Sequence, residues 1–231
     1  MKEENKNPIK AILDKQCKHW DEKLSNIPDM FGKDPSETVR KALELFKGEG
    51  VRKILELGGG QGRDTIYFAA NGLEVHSLDY SESGVRNIRK RATESGLGNR
   101  LTAMRHDIRQ PLPFDDAFFD ACYSHMFFCM ALTTLELELI FAGIRRVLKP
   151  DGLIVYTVRN TEDPHYGQGI HRGEDLYEKN GFIVHFFSME MVEYLSGGFE
   201  IVNVERCEES SLPRRLFRVI LRRIPREMHR A

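Results

Sequence analysis

The sequence offers little to a metal or a disulfide framework. Its four cysteines, Cys17, Cys122, Cys129 and Cys207, are scattered without paired spacing, so neither a zinc knuckle nor a covalently stapled small fold is expected and no metal site is predicted. No stretch approaches the ~20 consecutive apolar residues that span a bilayer, and residues 1–7 lack the apolar core of an export signal. A cytoplasmic protein without a membrane span is the resulting expectation. Charge of one sign is also missing, the formal net charge being −1, which argues against a broad nucleic-acid surface. There is no repeat and no low-complexity tract.

What the chain does have is enough apolar material, 41% of 231 residues, for one α/β core with some decoration. From Val51 onward strand-like and helix-like patterns alternate, the signature of a parallel sheet with helices on both faces. Val39, Ala42, Leu43 and Phe46 predict an amphipathic helix over about 36–47. Leu137, Ile140, Phe141, Ile144, Val147 and Leu148 predict another, stopped by Lys149 and Pro150. Residues 1–35 read as a polar, irregular amino-terminal cap segment, punctuated by Trp20 and by Phe31 with Gly32. The main domain is expected over 36–231, with a polar, glycine-bearing insert at about 160–185. An insert of that length is usually a lid or a binding segment. Two closing strands are expected near 198–204 and 216–221.

The most informative stretch is 54–64, an apolar run carrying Glu56 that breaks into Gly58, Gly59, Gly60 and Gly62. A strand, a glycine turn and a helix start form the nucleotide-binding half of a doubly wound sheet. A dinucleotide fingerprint from Gly58 would need a third glycine at 63, where Arg63 stands. The spacing is instead acid-x-Gly-x-Gly-x-Gly, followed by a second strand ending in Asp79, an acid placed to accept hydrogen bonds from a ribose diol.

At these residues the chain resembles the class I S-adenosylmethionine-dependent methyltransferases. Further segments follow in family order: Tyr80 and Ser81 after the second strand, a third strand over 101–108 ending in Asp107 and Ile108, a fourth reaching Tyr123, Ser124 and His125, and the Leu148 to Val155 junction. The resemblance implies an α/β fold, a doubly wound, mostly parallel seven-stranded Rossmann-like sheet with helices on both faces. It also implies S-adenosyl-L-methionine as cofactor, with S-adenosyl-L-homocysteine as product. Glu56, Gly58, Gly59, Gly60, Gly62, Asp79, Tyr80, Asp107, Ile108 and Ser124 are the matching cofactor positions, Asp107 facing the adenine amino group.

The sulfonium methyl is already activated, so positioning an acceptor in line outranks acid–base chemistry. Ligands of open α/β sheets lie beyond the carboxyl ends of the strands. Acceptor-side residues are therefore expected at the fourth-strand tip (Tyr123 and His125, the candidate catalytic pair), in the insert (His165, Tyr166, His171, Arg172) and in the cap (Trp20, Phe31). His125 either deprotonates or orients the acceptor, or bonds the cofactor or a backbone carbonyl. The helix start after Gly62 is similar to the tellurite-resistance and thiopurine-type branch, and also suits the quinone and sterol branch. A small-molecule acceptor is expected, its nucleophile a thiol, chalcogen oxyanion, amine or enol carbon. Seven arginines between Arg214 and Arg230 leave open an RNA or protein methyltransferase. A cofactor-binding module without turnover is the third reading.

Overall fold

The computed structural model describes residues 8–209 and 214–225. In chain order it has Pro8–Asp14 (α1), Gln16–Asn26 (α2), Glu37–Gly48 (α3), Lys53–Leu57 (β1), Arg63–Ala70 (α4), Glu74–Asp79 (β2), Glu82–Glu94 (α5), Leu101–Arg105 (β3), Phe119–His125 (β4), Thr134–Val147 (α6) and Leu148–Arg159 (β5). Ile170–His171 (β6), Leu176–Lys179 (β7), Phe182–His185 (β8), Met189–Leu195 (α7), Phe199–Glu209 (β9) and Arg214–Arg223 (β10) complete it.

Seven strands form one sheet in the order β3-β2-β1-β4-β5-β10-β9. The first five run parallel, and β10 is antiparallel to both β5 and β9. The order reverses between β1 and β4, which opens a crevice at their carboxyl ends. Strand alternation sends Ile54 to one face and Leu55 and Leu57 to the other, and all three are fully buried. Val39, Phe46, Phe68, Val85 and Ile88 from α3, α4 and α5 cover the first face. Ile140, Phe141, Ile144 and Val192 from α6 and α7 cover the second.

Helix starts follow from capping chemistry. Ser36, Ser81 and Ser188 each accept a backbone N–H with the side chain, and Thr133 with Glu136 completes a reciprocal capping box.

Three expectations change. The segment read as irregular over 1–35 contains α1 and α2, because Leu13, Gln16 and Leu24 recur at helical spacing and are buried. The third strand stops at Arg105, leaving Asp107 and Ile108 in the following loop. The polar insert contains a three-stranded antiparallel sheet, β6-β7-β8.

The basic carboxy-terminal stretch is an interior strand of the main sheet up to Arg223. Arg218 is 3% exposed and lies 3.2 Å from Glu205, and Arg222 lies 2.8 Å from Glu49. Arg226 and Arg230 lie outside the described residues. Among the described residues, no helix is long and apolar enough to cross a membrane.

Candidate active site

A cavity of about 570 Å³ opens over the crevice, a size suited to a ligand of cofactor dimensions. Its floor is the turn between β1 and α4. Gly58, Gly60 and Gly62 there have φ of +78°, +55° and +85°, backbone that favours glycine. The glycines divide by role. A Cβ on Gly59 would collide with Ser77, and one on Gly62 with Ile88, whereas one on Gly60 would meet only Phe31, at 3.8 Å. Gly59 and Gly62 let the loop pack; Gly60 keeps a bare peptide facing the cavity.

Asp79 holds this loop to the end of β2. One carboxylate oxygen accepts the Gly60 N–H and the other the Ser81 N–H, both at 2.8 Å. Burial raises its pKa against the pull of those donors. Glu56, 3% exposed, accepts the Thr65 hydroxyl at 2.5 Å. Burial pushes its carboxyl up to about 7.

A second cavity of about 40 Å³ lies beside the first, sharing Tyr80, Phe127 and Met130 with it, and lined also by Asp107, Ile108 and Arg109. Arg109 pairs with Asp107 at 2.7 Å and with Asp14 of α1.

Two outer segments wall the main cavity. Gln61 clamps the stretch after α2: its amide donates to the Leu24 and Ile27 carbonyls at 2.9 and 2.8 Å and its oxygen accepts the Met30 N–H at 2.8 Å. Asp21 of α2 accepts from the Ser81 and Ser83 hydroxyls at 2.6 and 2.7 Å. From the other side, alternation along the β7–β8 pair, with Lys179 opposite Phe182 and Tyr177 opposite Val184, turns these four side chains to the cavity. The walls meet where Gln16 donates to the Gly181 carbonyl at 2.9 Å and Trp20 lies 4.9 Å from Phe182.

At the β4 tip, the His125 ring nitrogen Nδ1 and Thr157 Oγ1 are 2.9 Å apart, and Thr157 Oγ1 also accepts the Met126 N–H at 3.0 Å. Met126 has φ of +56°, an uncommon conformation for its residue type that turns the chain sharply after His125.

Residues 54–152 match the family model described as a methyltransferase domain. No curated protein matches the sequence significantly. The matched stretch marks the chain as an enzyme, and solved methyltransferases share its doubly wound fold. A Burkholderia thailandensis 1,6-didemethyltoxoflavin-N1-methyltransferase, solved with its substrate and S-adenosylhomocysteine, is 18% identical over 94% of this chain and 90% of its own, with a TM-score of 0.72. The N-methyltransferase NodS from Bradyrhizobium japonicum, solved with S-adenosylhomocysteine, is 14% identical over 90% and 98%, with a TM-score of 0.68. An S-adenosylmethionine-dependent methyltransferase from Methanosarcina mazei is 21% identical over 74% and 92%, with a TM-score of 0.64.

Among the candidates, Glu56, Gly58, Gly59, Gly60, Asp79, Tyr80, His125, Trp20, Phe31 and His165 all reach the main cavity. Asp107 and Ile108 line the smaller one. Other candidates do not reach either. Tyr123 is 1% exposed, two residues before His125 on the same face of β4, where its hydroxyl donates to Asp64 at 2.7 Å. It supports Asp64, which also accepts Ser36 Oγ at 2.7 Å and Arg63 Nε at 3.0 Å. Burial works against the Asp64 charge, yet His125, Arg63 and Ser36 outweigh it and lower its pKa. Ser124, fully buried, donates to the Leu57 carbonyl at 3.2 Å and ties β4 to β1. Gly62 serves packing, as its contact with Ile88 requires.

In the insert, Tyr166 donates to Asp175 at 2.8 Å behind Tyr177, and Arg172 pairs with Glu178 at 2.6 Å on the far side of β7. His171 belongs to the outer strand, exposed, its Nε2 2.7 Å from the Glu174 carbonyl oxygen. Sequence reasoning missed Gln61, Arg63, Tyr177, Lys179, Phe182, Phe186 and Arg159, all of which line the cavity.

Proposed function

We propose that the protein transfers the methyl group of S-adenosyl-L-methionine by in-line displacement to a small-molecule acceptor held above His125. One observation supports this above the rest: the bare Gly60 peptide, the Asp79 carboxylate and the β4 tip face a single cavity whose far side is walled by residues with no role in the glycine turn. A cofactor on the turn and a second ligand against the insert would share one chamber.

The residues fit the cofactor. Gly60 leaves room for close approach to the backbone, Asp79 offers carboxylate lone pairs to a diol, and Tyr80, Asp107 and Ile108 provide a neighbouring slot. When bound, the sulfonium supplies an activated methyl group. His125, held by Thr157, orients the acceptor and takes its proton where the nucleophile carries one. The cap segment and the β6-β7-β8 insert act as the lid, and Trp20, Phe31, Phe182 and Phe186 exclude water. Such positioning contributes several kcal/mol to the rate.

The acceptor's nucleophile is a thiol, chalcogen oxyanion, amine or enol carbon, the range suggested by the tellurite-resistance, thiopurine and quinone branches. The two N-methyltransferases among the similar structures keep an amine within that range. Arsenite chemistry needs convergent thiolates, whereas burial raises the Cys122 thiol and pushes Cys129 up to about 11. The macromolecular reading loses much of its support because Arg218 and Arg222 are held in ion pairs.

The test is transfer from methyl-labelled S-adenosylmethionine into a cell extract. Label in the low-molecular-weight fraction is the expected result. Label confined to RNA or protein, or cofactor binding without any transfer, overturns the small-molecule reading.

A further inference from the structure

The charged groups on the cavity wall away from the glycine turn are engaged within the protein. Arg159, at the end of β5, is 7% exposed and lines that wall. Its Nε and Nη2 donate to Asp163 at 3.0 and 2.5 Å, and its guanidinium lies 5.0 Å over the Phe186 ring. Asp163 is 3% exposed and also accepts the backbone N–H groups of His165 and Arg215, at 2.8 and 3.0 Å. The buried carboxylate therefore matches the Arg159 charge. Lys179 donates to Gln168 Oε1 at 2.6 Å, and the Gln168 amide donates to the Pro164 carbonyl at 2.6 Å.

The polar atoms left over on this wall sit on uncharged aromatic rings. Arg159 Nη2 lies 2.9 Å from His165 Nδ1. A guanidinium only donates, so Nδ1 accepts and the ring keeps its proton on Nε2. Burial, with the charges of Arg159 and Lys179, lowers the His165 pKa and keeps the ring neutral. His165 is thus fixed in one tautomer, and its Nε2 meets no partner among the described residues. Nor do the Tyr177 hydroxyl and the Trp20 indole N–H, and none of the three is a buried orphan. Together with Phe182 and Phe186, these rings line the cavity as apolar surface with a few polar tips.

We propose that the methyl acceptor is an uncharged planar aromatic molecule carrying a carbonyl, its rings laid against Trp20, Tyr177, Phe182 and Phe186 and its carbonyl oxygen accepting from His165 Nε2. This rests on the methyl-transfer reading for the site and adds the substrate's chemical class. A flat aromatic body gains both burial and ring contact on this wall, and the carbonyl meets a donor whose orientation Arg159 has already set. A hydrocarbon of the same shape leaves that donor unmet. A carboxylate would shed its water among cations that already have partners, in a cavity whose other side is lined by Glu56, Asp64 and Asp79.

The experiment is equilibrium dialysis of full-length protein saturated with S-adenosylhomocysteine. The probes are coumarin and 4-quinolone, both neutral with a ring carbonyl, naphthalene, which has no acceptor, and coumarin-3-carboxylate, which is charged. At least one neutral carbonyl probe is expected to bind about tenfold more tightly than naphthalene and than the carboxylate. His165→Phe keeps an aromatic ring and leaves Asp163 paired with Arg159, but removes the donor. It is expected to erase the advantage over naphthalene without weakening naphthalene itself, whereas His165→Gln, whose amide accepts from Arg159 and donates as well, keeps part of it. Tighter binding of the carboxylate, equal binding of naphthalene, no binding by either carbonyl probe, or carbonyl affinity indifferent to His165→Phe overturns the proposal. Failure of S-adenosylhomocysteine itself to bind brings down the methyl-transfer reading beneath it, a distinct result seen before any probe is added.

Discussion

The indole of Trp20 and the ring of Phe182 stand 4.9 Å apart, joining α2 to the hairpin of the insert across the mouth of the cavity. Aromatic pairs of this kind contribute about 0.5–1.5 kcal/mol beyond their burial. Phe182→Ala is therefore expected to weaken S-adenosylhomocysteine binding by about threefold to tenfold and to speed proteolysis within residues 16–32. Unchanged affinity and unchanged cleavage would show that the two walls do not act together as a lid.

The glycines of the turn are predicted to fail in different ways. Gly59→Ala drives a methyl group into Ser77 and should cost about 1–3 kcal/mol of stability, read as a lower urea midpoint. Gly60→Val meets open cavity, so its stability cost is the ~1–2 kcal/mol of a side chain at positive φ, while S-adenosylhomocysteine binding is lost. A Gly60→Val protein that binds normally refutes the cradle.

Glu56 gives the fold a pH dependence. Burial holds its folded-state pKa near 7, whereas an unfolded glutamate releases its proton near ~4.3. Between those values the folded protein keeps a proton that the unfolded chain has lost, so stability falls as pH rises, by up to ~1.4 kcal/mol per unit, and levels off above about 7. The contribution is fully present below the unfolded pKa. Glu56→Gln keeps an acceptor for Thr65 and removes the titration. Urea melts from pH 4 to 8 should show wild type losing ground to the variant on the order of 3 kcal/mol. Parallel curves would mean that Glu56 titrates normally.

Tyr123 and His125 neighbour each other on β4 yet should behave as different kinds of residue. Tyr123→Phe removes a buried donor to Asp64 and is expected to cost about 1–2 kcal/mol of stability, with S-adenosylhomocysteine affinity unchanged. His125→Asn should lower kcat far more than it weakens the cofactor. Equal losses of turnover and cofactor affinity at His125 would assign it to the cofactor instead.

Much of the cofactor side was legible because its requirements are local. Positive φ and close approach demand glycine at particular positions, and an acid at a strand end is visible as soon as the strand is. The acceptor side was less so. Arg159, Asp163 and His165 come together only when β5 leaves the sheet and its following loop folds back, a proximity that spacing along a strand does not announce. Tyr123 and Ser124 were misplaced because both lie short of the tip of β4, where the strand is buried on both faces and only His125 reaches the crevice. One signal was present and underused: Asn180 and Gly181, with φ of +53° and +81°, are the Asn-Gly pair that closes a tight hairpin, and it is this turn that converts the insert into a sheet. The α2 helix was obscured by its polar outer face, although Gln16 and Leu24 mark the buried one.

The central claim is that the turn from Gly58 to Gly62, tied to Asp79, seats an adenosyl amino acid. Calorimetry with S-adenosylhomocysteine tests it most directly. Wild type should bind one equivalent, and Asp79→Ala should bind about 1–3 kcal/mol more weakly through the lost charge-assisted hydrogen bonds. No heat with S-adenosylhomocysteine, alongside a clear signal with NADH, would contradict the account.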